Sequence, residues 1–329
     1  MTVIGTSPDG EAVQQITIGS HSLTAKILTW GAILQDVRLA GVPHSLTVGT
    51  DMLDPYLTRM ASFGGLVGPV VNRIAGATAW IGDRVHHFEA NHEGRNTLHS
   101  GSAGTHRKLW SLTEQSDDTV TLAITLPDGE GGFPGNRTVT AIYAVEGSVL
   151  TLTIEGHTDA PTFLNFANHS YWSLDDTGTI DGHHLQIDAS RFLIHDETGL
   201  PTGQIAGVDG TPYDFRKPHP LSIGRDYDNN MILAEARRDL TEVATLTGAT
   251  GVTMRLATTE PGLQLYDAYK MTDLGVSDHS GRPLAPHRGL ALEAQGWPDA
   301  PNHADWPSIR LDPGETYRQV TSWSFSSES

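Results

Sequence analysis

Apolar and polar residues alternate with a period of two in four well-separated windows: Leu23-Ala25-Ile27, Leu150-Leu152-Ile154, Val252-Met254-Leu256 and Thr321-Trp323-Phe325. A period of two is the signature of an extended strand with one face buried and the other toward solvent. Turn residues separate runs of this kind in Val145-Glu146-Gly147-Ser148-Val149 and in Ile81-Gly82-Asp83-Arg84-Val85, the pattern of β-hairpins and hence of antiparallel neighbours. Only one segment reads as helical. It places Leu53, Tyr56, Leu57 and Met60 on one side, with Asp54 as the expected N-cap and Pro55 at the first helical position. Strands do not alternate regularly with helices, so a doubly wound parallel sheet is excluded in favour of a large antiparallel sandwich.

The 329 residues include thirty-five Gly and eighteen Pro, enough turn formers to serve many short strands. Neither a flexible linker nor a repeat interrupts them, although Gly199 to Pro220 reads as a Gly- and Pro-rich loop. The expectation is one domain spanning 1–329. With no Cys there are no disulfides, thiolate nucleophiles or thiolate metal ligands. The segment Met1 to Gln15 lacks the pattern of a secretory signal, and the longest nearly apolar run, Phe63 to Val71, is too short to cross a bilayer. A soluble, cytoplasmic protein without membrane association is expected. The formal net charge of -18 at pH 7 opposes nucleic acid and anionic membranes as partners, but not a small neutral ligand.

Signatures of nucleotide chemistry are missing: no Gly-Lys-Ser/Thr phosphate loop occurs, and Gly129-Glu130-Gly131-Gly132 lacks the dinucleotide spacing. Gly101-Ser102-Ala103-Gly104 does not make a nucleophile elbow. Sixteen His raise the question of a metal, yet none stands in a His-Glu-x-x-His helix, and the adjacent pairs His86-His87 and His183-His184 point to opposite faces of a strand. No metal site is expected. His99 and His169 differ from the rest in lying among small polar residues at apparent strand ends, the latter closing a strand-like stretch from Thr162. Glu293 sits in an apolar alternation, Leu290 to Gln295, that breaks into a Pro-rich loop. Either it faces solvent, or its apolar neighbours bury it and raise its carboxyl pKa toward that of a general base. Arg73 is likewise a surface charge or a fixed array of donors for ligand oxygens. The seven Trp read as core by default, with Trp172 and Trp297, which adjoin these positions, offering the alternative of flat faces for a ligand ring.

Seven motifs stand in order along nearly the whole chain: Asn72-Arg73-Ile74; Asn96-Thr97-Leu98-His99; Pro127 through Asn136; Asn168-His169-Ser170-Tyr171-Trp172; Tyr227-Asp228-Asn229-Asn230; Pro261 through Tyr266; and Leu292-Glu293-Ala294-Gln295 with Pro298 through Asn302. As an ordered set they resemble the aldose 1-epimerase (galactose mutarotase) family. The resemblance implies an all-β, mostly antiparallel supersandwich with few short helices and an open sugar cleft on one sheet. It also implies a cofactor-independent isomerase of free sugars, a monomer or homodimer. By position, Glu293 resembles the family's general base and His169 its acid. His99 resembles a second histidine that binds the sugar, and Asn72, Arg73, Asp228 and Gln264 match positions that hold sugar hydroxyls. Two stretches depart from the family pattern and reshape the pocket rim: Ser100 to Lys108, and Asp267-Ala268-Tyr269 after Tyr266. A hexose-6-phosphate 1-epimerase ranks second, since only Arg73 among the matched positions is cationic. A sugar-binding protein without catalysis would not need both Glu293 and His169.

Overall fold

The computed structural model describes residues 1–327. Strands make up 45% of the chain and helices 6%, which fixes the all-β class. The largest sheet has nine strands, in the spatial order Ser111–Gln115, Thr119–Leu126, Arg137–Glu146, Val149–Thr158, Tyr317–Ser327, Val252–Thr258, Thr241–Thr247, His184–Ile187 and His219–Pro220. A six-stranded sheet runs Tyr171–Trp172, Leu290–Gln295, Gly262–Tyr266, Asp228–Ile232, Arg191–His195, Pro201–Gly207. Four N-terminal strands between Thr2 and Leu39 form a third sheet. Neighbouring strands are antiparallel throughout these sheets, as the hairpin signals require. All four alternating windows are strands, and both turn motifs are hairpin turns.

One apolar cluster joins the three sheets. It contains Ile16 and Ala25 from the N-terminal sheet, Leu152, Leu256 and Trp323 from the large sheet, and Leu263, Leu265, Leu290 and Leu292 from the six-stranded sheet. The period of two then decides what the opposite face of the six-stranded sheet carries. Because Leu290, Leu292 and Ala294 enter the core, Glu293 emerges on the far side; because Leu263 and Leu265 do so, Gln264 and Tyr266 emerge there as well. The antiparallel register sets these residues side by side, with Gln264 opposite Glu293 and Tyr266 opposite Asp228. A line of polar side chains therefore crosses the sheet at one level.

Three local expectations need correction. The helix covers only Asp54–Leu57, and its N-cap is Leu53, not Asp54. Leu53 is itself helical in φ and ψ, and its carbonyl already accepts the Tyr56 N–H at 2.9 Å, so the turn starts one residue earlier on the backbone. The stretch from Thr162 is not continuous; it divides into Thr162–Phe163, which pairs with Arg310–Leu311, and Ala167–Asn168, which pairs with Leu66–Val67. The Gly- and Pro-rich segment 199–220 is not all loop, since Pro201–Gly207 forms the edge strand of the six-stranded sheet.

Candidate active site

Above that polar line lies a cavity of about 320 Å³. Asn72, Arg73, His99, His169, Asp228, Gln264 and Glu293 all line it, together with Ser62, His92, Leu98, Tyr171, Tyr266 and Lys270. Residues separated by more than two hundred positions in sequence are thus brought together.

Glu293 is only 2% exposed and His169 only 5%. His169 Nε2 lies 3.6 Å from Glu293 Oε1, while Glu293 Oε2 is buried without a hydrogen-bond partner among the described residues. The backbone on both sides of His169 is fixed: its N–H donates to Gly65 O at 3.0 Å, and its carbonyl accepts the Gly64 N–H at 2.9 Å. Gly64 is required here, because at φ 65° a Cβ would lie 2.3 Å from the Leu34 carbonyl oxygen.

Burial sets the titration of both groups. It pushes the Glu293 carboxyl up to about 8, reinforced by the negative charge of Asp228 and opposed by Arg73. Burial also pulls His169 down to about 4. At neutral pH the pair therefore holds one proton between them.

His99 sits beside His169, ring centroids 5.6 Å apart and edge to face. Its Nδ1 accepts the Asn72 N–H at 3.2 Å, which assigns the proton of the neutral ring to Nε2. Desolvation, together with the neighbouring His169, His106 and Arg73, holds this ring well below the usual histidine range. The segment from Ser100 to Lys108 contributes His106, buried beside His99 with ring centroids 6.2 Å apart and lowered to about 3 by burial.

The remaining polar groups form one chain. Arg73 donates to Asn72 Oδ1 at 3.3 Å, Asn72 Nδ2 to Gln264 Oε1 at 3.2 Å, and Gln264 Nε2 to Asp228 Oδ1 at 2.9 Å. Lys270 Nζ closes it on Asp228 Oδ2 at 3.2 Å. Arg73 is buried rather than a surface charge, and its Nε has no partner among the described residues. Gly199 covers it so closely that a Cβ there would approach the guanidinium to 2.8 Å. The Pro-rich loop after Glu293 secures the same turn, with the Asp299 N–H donating to Arg73 O and Asp299 Oδ1 accepting the Ala75 N–H.

Both tryptophans take the core reading, not the ligand-facing alternative. Trp172 is fully buried, 5.6 Å from both Trp323 and Phe325, and Trp297 is buried against Trp306. On consecutive strand residues the side chains alternate, so Tyr171, not Trp172, faces the cavity. Tyr171 and Tyr266 supply its aromatic wall, ring centroids 6.2 Å apart. Lys270 was also missed, which makes Arg73 one of two cations lining the cavity. Of the paired histidines, His183 is structural, accepting the Leu174 N–H on Nε2 at 3.0 Å.

The buried His169–Glu293 pair thus lies in a polar cavity walled by Tyr171 and Tyr266, on the face of the six-stranded sheet away from the core. The aldose 1-epimerase family model matches residues 14–324. Rat galactose mutarotase is 33% identical over 99% of this chain and 98% of its own length, and aldose 1-epimerase of Escherichia coli K12 is 30% identical over 98% of each. Among solved structures, an aldose epimerase homologue from C. elegans superposes with a TM-score of 0.89 at 27% identity, covering 97% of this chain and all of that one. Galactose 1-epimerase from Lactobacillus acidophilus NCFM gives 0.84 at 25% identity, covering 99% and 98%. The chain belongs to the aldose 1-epimerase family and is thereby an isomerase.

Proposed function

We propose that the protein interconverts the α and β anomers of a free aldose, with Glu293 as general base, His169 as general acid and no cofactor in the reaction. The observation that carries this reading is the buried His169–Glu293 pair, 3.6 Å apart, in a cavity lined by hydrogen-bonding groups. Ring opening removes the proton from the anomeric hydroxyl while the ring oxygen gains one; the bond from C1 to the ring oxygen breaks and C1 becomes a carbonyl carbon. Rotation about the C1–C2 bond presents the other face, and the reverse transfers close the opposite anomer. The sugar enters with the pair holding one proton, which the reaction needs on His169. A donor hydroxyl against Glu293 and an acceptor ring oxygen against His169 both favour that ionised arrangement. His99 Nε2–H, Asn72, Arg73, Gln264 and Asp228 then hold the hydroxyls, and Tyr171 and Tyr266 flank the ring.

Lys270 is engaged by Asp228, so the cavity does not offer the array of unpaired cations that a phosphate dianion calls for, and an unphosphorylated aldose is the better fit. Polarimetry of freshly dissolved galactose, glucose, xylose, arabinose and fucose, with and without protein, tests the reading. Acceleration for at least one sugar supports it, and no acceleration for any would leave the sugar-binding alternative.

A further inference from the structure

The anomer exchange leaves Asp267, which follows the strand Gly262–Tyr266, unused. Asp267 is only 1% exposed. Its Oδ1 accepts the Tyr269 N–H at 3.1 Å, but among the described residues Oδ2 has no hydrogen-bond partner. The half-buried His287 places Nδ1 3.3 Å from that oxygen, and among the described residues this nitrogen makes no hydrogen bond either. Asp226 completes a trio whose ligand atoms all fall within 4.8 Å of one another.

These residues come from three separate segments that meet at one end of three adjacent strands. Asp226 precedes Asp228–Ile232, Asp267 follows Gly262–Tyr266, and His287 precedes Leu290–Gln295. The same strands carry Asp228, Gln264 and Glu293. Burying a carboxylate with one oxygen unpaired is costly, and a second carboxylate beside it adds repulsion that a single imidazole offsets only in part.

We propose that Asp226, Asp267 and His287 form a site for a divalent cation, Mn²⁺ or Zn²⁺, that fastens the strand ends beneath the sugar cavity. Two carboxylates and one imidazole suit these ions; Ca²⁺ and Mg²⁺ prefer oxygen alone, and the set lacks the thiolates that select softer metals. At ligand distances of about 2.0–2.2 Å, donor atoms around one ion lie up to roughly 4.4 Å apart, so a small movement of exposed Asp226 closes the trio on an ion. Its exposed side admits water to the remaining positions. The ion takes no part in proton transfer, and the inference stands whether or not the anomer exchange does.

The test uses the untagged full chain, stripped with EDTA and titrated calorimetrically with MnCl₂, ZnCl₂ and MgCl₂. Mn²⁺ or Zn²⁺ should bind at one ion per chain, more tightly than Mg²⁺, and a hundredfold excess over Kd should raise the melting temperature by a few °C. Asp226→Asn, at an exposed position, and His287→Gln should each weaken that binding by at least about tenfold and abolish the melting shift. Absence of binding in the wild type would overturn the proposal and leave Asp267 and His287 a buried ion pair. Equal binding by wild type and both variants would also overturn it, by placing the ion on other histidines.

Discussion

His169 Nε2 and Glu293 Oε1 lie 3.6 Å apart at the floor of the cavity, and between them they hold one proton across the neutral range. Both displacements have the same leading cause, burial, which disfavours the charged form of each and so moves the two in opposite directions. Desolvation alone leaves the shared proton on Glu293 with His169 neutral, so the roles proposed above require the bound sugar to draw that proton onto His169.

The pH dependence follows from that shared proton. Below about 4 the pair carries two protons and offers no base; above about 8 it carries none and offers no acid. The kcat/KM profile should therefore be bell-shaped, with limbs near these values belonging to the pair as a unit. A profile still rising through pH 9 would contradict the pair as the working groups.

Stability should show the cost of the buried carboxyl. Its folded pKa is raised from 4.5 to about 8, so its favourable contribution is complete below pH 4.5 and is lost as pH rises through 8. Glu293→Gln should melt near the wild-type temperature at pH 4 and several °C above it at pH 8.5, a gain on the order of a few kcal/mol. A melting difference that does not grow between these pH values would show that Glu293 is not the buried acid described.

Much of this site could be read from the chain, and the failures have physical causes. Glu293 was legible because its alternation with Leu290 and Leu292 dictates the face it takes, and Arg73 because it follows an apolar run, whereas Asn72, Asp228 and Gln264 were placed only by the family resemblance. The same alternation decides between the two readings of Trp172, turning it into the core and Tyr171 into the cavity. Lys270 escaped because a loop places it, and no period marks a loop. Asp54 lost the cap to Leu53 because a backbone carbonyl met the need usually filled by a side chain. Asp226, Asp267 and His287 form no motif, since only the strand register brings them together.

Replacing His169 by Asn should lower kcat by about 10²-fold or more, with a smaller effect on sugar binding, because protonation of the ring oxygen develops in the transition state. Turnover and melting measured on one preparation distinguish this role from a structural one. A large fall in melting temperature with normal turnover in the surviving folded protein would remove His169 from the reaction.

A neutral aldose meets this acidic protein through short-range contacts, so its kcat/KM should change by less than about twofold between low and physiological salt. The 6-phosphate of the same sugar should be a poorer substrate, repelled by the net charge of -18 and relieved by salt. A higher kcat/KM for the phosphate at physiological salt would instead favour a phosphosugar substrate.

The central claim is that Glu293 removes the anomeric proton, and it is tested most directly by polarimetry of the best sugar with wild-type and Glu293→Gln proteins at equal concentration and saturating substrate. The amide keeps the shape of the side chain but cannot accept the proton, so turnover should fall by about 10²–10⁴-fold while sugar binding measured by calorimetry largely survives. Turnover above about a tenth of the wild-type rate in a properly folded variant would contradict the assignment.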